Sequence, residues 1–444
     1  MRTLFLSALF LVPVIGLAQP APAADPAVQA VVDAVSDERI AATMQRLEAF
    51  GTRNSLSSAS DPEHGIGAAR RWLYEQFRGC SPRLQVRYDT WHVRKQGVRI
   101  VRDTDIVNVV AVLPGTVHPD RQILISAHYD SLALFHVPGD EHRIDWEKTA
   151  GAPIAPGVSD DGSGVAAVLE LARVMSRHEF PNTVVFIAFA GEEQGLIGST
   201  LYADRARRDG VKIEGVLNND IIGTGVAGDG RRNNRAVNVY SGDPSDSPSR
   251  TLARYVKSTA ERYFPAMRVN LVFRDDRFGR GGDHTPFDHA GYAAVRLTTT
   301  TEDYSHQHNP TDTYANASPA YTTLVARVNG AALASLAMAP LAPVIARIDR
   351  GKSGYDAVLR WSQPEPEPNL AGYVVVMRAT TAPYWERAIA VGNVQEYVLP
   401  NVSIDDVVFG VKAVDRSGNE SPVTPWVITP FPDEKIETYG DTPR

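Results

Sequence analysis

Residues 157–195 read GVSDDGSGVAAVLELARVMSRHEFPNTVVFIAFAGEEQG, and the fold is decided in this stretch. Two acids and a Gly-Ser-Gly run open a helical segment, Gly164–Ser176. A strand-like apolar run, Val184–Ala190, follows, and the chain then emerges at Gly191-Glu192-Glu193. A short run that is apolar throughout reads as a strand buried on both faces. Working outward, the alternation continues. Strand-like runs lie at Ile123–Ser126, Val216–Asn219, Val237–Tyr240, Val269–Phe273 and Ala293–Thr298. Helical runs lie at Ile197–Arg208, Ser247–Tyr263 and Pro319–Ala337; Ser247 serves as N-cap of the second, with Pro248 at its first helical position. The pattern predicts an α/β fold, a mostly parallel central sheet with helices on both faces.

Upstream, apolar residues recur at helical spacing between Asp37 and Arg78: Ile40, Met44, Leu47 and Phe50, then Ala68, Trp72, Leu73 and Phe77. Downstream, two prolines in Met338–Pro343 end the alternation. Short runs follow at Ala357–Trp361, Tyr373–Arg378, Arg387–Val391, Val407–Val414 and Trp426–Ile428, separated by turn-rich clusters. They predict a small all-β sandwich. A chain of 444 residues exceeds one ordinary core, so two units are expected, over residues 37–341 and 343–430. The first residues form neither: Arg2, the apolar Leu4–Leu17, and small Gly16 and Ala18 mark a signal peptide over residues 1–18. That stretch falls short of the roughly 20 residues needed to span a bilayer. The expectation is export, to a periplasm or the extracellular space, without stable membrane insertion. With 43% apolar and 22% charged residues and a net charge of −7, the chain is a globular protein whose field repels nucleic acid. Its single cysteine, Cys80, excludes an internal disulfide, leaving stability to packing and metal.

Five segments set His and carboxylates at predicted strand ends and in loops, where open α/β sheets build their sites. His128 and Asp130 are two apart and face the same way in extended chain. Of the adjacent Asp160 and Asp161, a helix N-cap accounts for one and leaves the other unexplained. Glu192 and Glu193, where a buried strand emerges, read as a metal ligand beside a general base. Asp220 ends another strand, and His306 and His308 share a loop.

The joint order and spacing of these segments resemble the M28 family of co-catalytic zinc peptidases over about Asp37 to Leu341. That family includes secreted bacterial aminopeptidases, the glutamate carboxypeptidase group and, more distantly, glutaminyl cyclases. The resemblance implies two Zn2+ per chain. His128 and Asp220 would hold one zinc, Glu193 and His308 the other, and Asp160 would bridge them. Asp130 would orient His128, Glu192 would be the general base, and the peptide bond to Asp161 would be cis. His308 rather than His306 fits the family's His-x-x-x-Asp-Thr motif, with Asp312-Thr313. Gly282-Asp283-His284 and Phe287 resemble a pocket-lining segment in which Gly282 replaces a serine. An open N/O ligand set reads as catalytic, and an unligated Glu192 suits a water's proton. A free α-amino group near the second zinc suits an aminopeptidase of peptides or proteins. A glutaminyl cyclase, a carboxypeptidase using an arginine among Arg274, Arg277, Arg280 and Arg296, and an inactive binding protein are the alternatives.

Trp361, Gly372-Tyr373, Leu399-Pro400, Phe409-x-Val411-x-Ala413-Val414-Asp415 and Gly418-Asn419 resemble fibronectin type III domains, although Val407 stands where a corner tyrosine is expected. The resemblance implies a spacer or lid, or a module contacting substrate or a cell surface.

Overall fold

A computed structural model describes residues 24–349 and 356–426. The expected signal peptide over residues 1–18 and the end of the expected second unit, residues 427–430, lie outside the described residues.

In chain order the first unit contains α1 (Pro26–Asp33), α2 (Asp37–Glu48), α3 (Gly65–Cys80), β1 (Gln85–Val93), β2 (Thr104–Leu113), β3 (His118–His128), β4 (His136–Val137), β5 (Asp140–Ile144), α4 (Trp146–Ala150), α5 (Ser163–Met175), β6 (Asn182–Phe189), α6 (Ile197–Arg208), β7 (Lys212–Asn219), β8 (Ala236–Tyr240), α7 (Pro248–Tyr263), β9 (Arg268–Val272), α8 (Thr285–His289), β10 (Ala294–Thr299) and α9 (Pro319–Met338). Eight strands form one sheet in the order β1-β2-β6-β3-β7-β10-β8-β9. Its centre, β6-β3-β7-β10, is parallel throughout. β1, β2 and β6 pair antiparallel at one side, and β10 meets β8 antiparallel at the other.

β6 shows why its sequence is apolar at every position. Val184, Phe186 and Ala188 enter the core shared with α5 and α9, while Val185, Ile187 and Phe189 enter the core under α6 and α8. The period of two sends alternate side chains to opposite faces, and helices cover both. Each of the Val, Ile and Phe side chains contributes about 1.5–3 kcal/mol on burial. α7 begins as expected, with Ser247 Oγ accepting from the Arg250 amide and Pro248 in the first turn.

Two features precede the expected pattern. α1 starts before Asp37, capped by Asp25, and buries Val28, Val31 and Val32 in the main core. β1 leaves most of its side chains half or fully exposed, so its sequence carries no clear apolar period.

The second unit holds β11 (Val344–Asp349), β12 (Ala357–Ser362), β13 (Leu370–Ala379), β14 (Arg387–Gly392), β15 (Glu396–Leu399), β16 (Val407–Asp415) and β17 (Thr424–Pro425). They make two small antiparallel sheets, β11-β12-β15 and β14-β13-β16-β17. Trp361, Tyr373, Phe409 and Val411 share a core separate from the first unit's, with the Trp361 and Tyr373 rings edge to face at 5.5 Å. β17 ends before Trp426, the one described residue of the strand expected over Trp426–Ile428, and Trp426 is buried. The seam between the units is polar. Arg378 pairs with Asp246 at 2.6 Å, Arg254 Nε donates to the Pro383 carbonyl, and Tyr255 donates to the Glu420 carbonyl. Among the described residues no helix is long and apolar enough to cross a membrane.

Candidate metal centre

β3, β6 and β7 are parallel neighbours, so their carboxyl ends open on one crevice. His128 ends β3, Glu192 and Glu193 follow β6, and Asp220 follows β7. The turn Val158–Gly162 ahead of α5 brings in Asp160, and a loop after β10 brings in His308. Gly157 makes that turn possible. Its φ is +51°, and a Cβ there would sit 2.5 Å from Ser131 Cβ and 2.6 Å from the Asp160 carbonyl oxygen.

The six side chains fall into two adjoining groups, His128 with Glu192 and Asp220, and Asp160 with Glu193 and His308. Asp160 spans them: its Oδ1 lies 3.1 Å from His128 Nε2, and its Oδ2 lies 3.0 Å from His308 Nε2. Asp220 Oδ1 is 3.8 Å and Glu192 Oε2 4.0 Å from the same His128 nitrogen, and Glu193 Oε2 is 3.3 Å from His308 Nε2. His306 is not part of the cluster; its ring faces Thr311 Oγ1 at 2.8 Å.

The donor set fits a metal. His128 Nε2 and Glu193 Oε1 are buried and make no hydrogen bond. The electrostatics agree. Burial pushes Glu193 up to about 7 against the pull of His308, and burial likewise raises Glu192. Burial disfavours the charged form of both histidines, yet Glu192, Asp130 and Asp160 hold His128 well above its ordinary value, and Glu193 and Asp160 push His308 up to about 9. A divalent ion relieves the repulsion among carboxylates crowded into a buried site.

The surrounding side chains divide the work. Asp161 fills the helix-cap reading: its Oδ1 accepts from the Gly164 amide at 3.0 Å, which leaves Asp160 free. The Asp160–Asp161 peptide bond is cis. Asp130 meets His128 differently from expectation. His128 Nδ1 lies 3.1 Å from the Asp130 main-chain carbonyl and 3.6 Å from its carboxylate. The carboxylate instead accepts from Ser55 Oγ at 3.2 Å and from the amides of Glu192 and Glu193, so it fixes the glutamate pair. Asp312, in the His308 motif, accepts from the amides of Ser159 and Asp160 at 2.8 and 3.0 Å. Arg296, considered as a clamp for substrate, is fully buried and holds Asp220 Oδ2 at 3.0 Å and Asp276 at 2.8 Å. Asp283 and His284 are buried, and both Asp283 oxygens lack a hydrogen-bond partner.

Sequence reading missed Arg53 and Ser55, which sit in a polar loop after α2 with no motif around them. Fully buried Arg53 donates to the carbonyls of Leu47, Tyr129, Pro156 and Gly157, tying α2 to both sides of the site. Arg53→Leu strands four buried carbonyls. At about 1–3 kcal/mol for each unsatisfied buried group, partly relieved by relaxation, the variant is expected to lose about 3 kcal/mol or more. Chemical denaturation checks this, and a loss under about 1 kcal/mol would show that water replaces the guanidinium.

These features define a class first: an α/β protein whose parallel strand ends carry a paired His–carboxylate site. The chain belongs to peptidase family M28, whose model matches residues 108–333. It is 35% identical to a probable zinc metalloprotease of Phaeosphaeria nodorum over 92% of this chain and 88% of that relative. A probable zinc metalloprotease of Pyricularia oryzae is 38% identical, with 92% and 85% covered. Among solved structures, the aminopeptidase from Aneurinibacillus sp. strain AM-1 superposes with a TM-score of 0.51 at 17% identity, over 70% of this chain and 96% of that one. Fimbriiglobus ruber glutaminyl cyclase gives a TM-score of 0.51 at 20% identity, over 67% and 94%. At these identities the two structures speak for the fold.

Proposed function

We propose that the chain is an exported di-zinc exopeptidase that removes amino-terminal residues from peptides. The observation carrying the two-ion reading is Asp160, whose two oxygens each approach a different histidine at 3.0–3.1 Å. His128 and Asp220 would hold one ion, Glu193 and His308 the other. Zinc bound there supplies the Lewis acidity that makes a water nucleophilic at neutral pH and polarises the scissile carbonyl. The chain's own part falls to Glu192. It lines the open cavity, and burial raises its proton affinity toward the range useful for a general base. It would take the proton from the attacking water and deliver it to the departing amine. Asp130 and Ser55 would hold the Glu192–Glu193 segment still during that transfer.

Elemental analysis of the unchelated, purified protein is expected to find close to two zinc per chain, with hydrolysis of an aminoacyl anilide abolished by chelation and restored by zinc. One zinc with full hydrolysis would overturn the two-ion reading, and one zinc with no hydrolysis would favour a glutaminyl cyclase.

The second unit is proposed as a fibronectin type III-like module for substrate or surface contact. Its three- and four-stranded sheets around Trp361 support this, as does the span of the curated relatives, which match 92% of the chain where the solved structures cover 67–70%.

A further inference from the structure

The cavity over the candidate metal centre has a volume of about 250 Å³ and is lined by charges of both signs. Four carboxylates line it, Asp160, Glu192, Glu193 and Asp220, and three arginines, Arg99, Arg277 and Arg280. Two divalent ions would match the four carboxylates. Arg277 is already matched, by Asp276 at 2.9 Å and Glu302 at 3.2 Å. Arg99 and Arg280 have no ion-pair partner among the described residues.

Both are nevertheless held in place. Arg99, in the loop between β1 and β2, stacks 5.1 Å from the Trp146 ring centre and donates from Nη1 to the Glu193 carbonyl at 2.9 Å. Arg280, in the loop between β9 and α8, donates to Gln307 Oε1 at 3.4 Å, and Gln307 in turn donates to Asp160 Oδ2 at 2.9 Å. Each guanidinium spends one nitrogen on its anchor and keeps other N–H groups for a ligand. Anchored guanidiniums lose less freedom on binding than free ones, and their planar fork suits a carboxylate.

Resting on the peptidase reading of the site, we infer that Arg99 and Arg280 form a carboxylate-recognition site at the Glu193–His308 end of the cleft. The preferred substrates therefore carry a carboxylate beside the scissile bond, either the free C-terminus of a dipeptide or an acidic side chain. An α-ammonium at that end would face both guanidiniums, so the amino terminus is directed to the Asp220 end instead. This reverses the placement of the amino group near the second zinc expected from sequence. Because both arginines are solvent-exposed, the expected preference is at the low end for charge-assisted hydrogen bonds, about 10-fold.

The test compares kcat/KM of the zinc-loaded full chain on Ala-Ala, Ala-Ala-amide, Ala-Asp-amide and Asp-Ala-amide. Carboxylate-bearing peptides should exceed Ala-Ala-amide by about 10-fold. Which of them leads separates a terminal from a side-chain carboxylate. In the double variant Arg99→Gln/Arg280→Gln the ratio should fall to near one with zinc content unchanged. Calorimetric binding of the uncleaved D-Ala-D-Ala and its amide gives a readout without turnover, and the acid should bind tighter only in the parent. Equal or better handling of the neutral amide by the parent in both assays would overturn the inference, as would a preference that survives the double variant. If no peptide is cut while the acid still binds through the arginines, the peptidase reading fails and the carboxylate site stands.

Discussion

Glu192→Gln is expected to keep the protein folded with its zinc bound, and to lower turnover by about 10²–10⁴-fold, the range for removal of a positioned general base. The geometry makes this a sharp test because Glu192 also lies within reach of the first metal group. His128 Nε2 is 3.1 Å from Asp160, 3.8 Å from Asp220 and 4.0 Å from Glu192. Asp160 and Asp220 are the nearer carboxylates, and the proposed assignment leaves Glu192 for proton transfer. Glutamine keeps the shape and one carbonyl acceptor but cannot take a proton. Zinc content measured beside kcat decides the matter. Loss of one zinc with the activity would make Glu192 a ligand, and near-normal kcat would remove it from the chemistry.

The parts of this site that were legible in the sequence are those fixed by local chain geometry. β6 is apolar at consecutive positions because it is covered on both faces, so its end, and the glutamates beyond it, were visible. His128 and Asp220 follow apolar runs for the same reason. The ordered motif then supplied roles that no single pair carries. What stayed hidden depends on distant pairing. β1 is an edge strand with a mostly exposed surface and no apolar period. Arg53 reads as an ordinary loop cation until four carbonyls from three separate segments converge on it. Arg296 lies on a strand beside the site, where sequence offers it equally to substrate or to protein. Only its complete burial against Asp220 and Asp276 assigns it to the protein. Along the chain the Asp130 carboxylate stands beside His128, whereas folding delivers the Glu192 and Glu193 amides to it from the neighbouring strand end.

Asp160→Ala is expected to reduce activity further than Glu192→Gln, because it removes the ligand proposed to be common to both ions. Each oxygen of Asp160 approaches a different imidazole, so its loss would open both proposed coordination spheres at once. The expected result is less than one zinc per chain and turnover below that of Glu192→Gln. Glu193→Ala provides the contrast, since its carboxylate faces only His308 and its loss should leave one zinc at the His128–Asp220 side. Folding has to be checked in parallel by circular dichroism and thermal melting. The Asp160 amide, which Asp312 holds, survives the substitution, so the turn before α5 should persist. Two zinc ions retained by a folded Asp160→Ala protein would overturn the shared-ligand assignment, and an equal loss of zinc in the two variants would mean that the ions bind only as a pair.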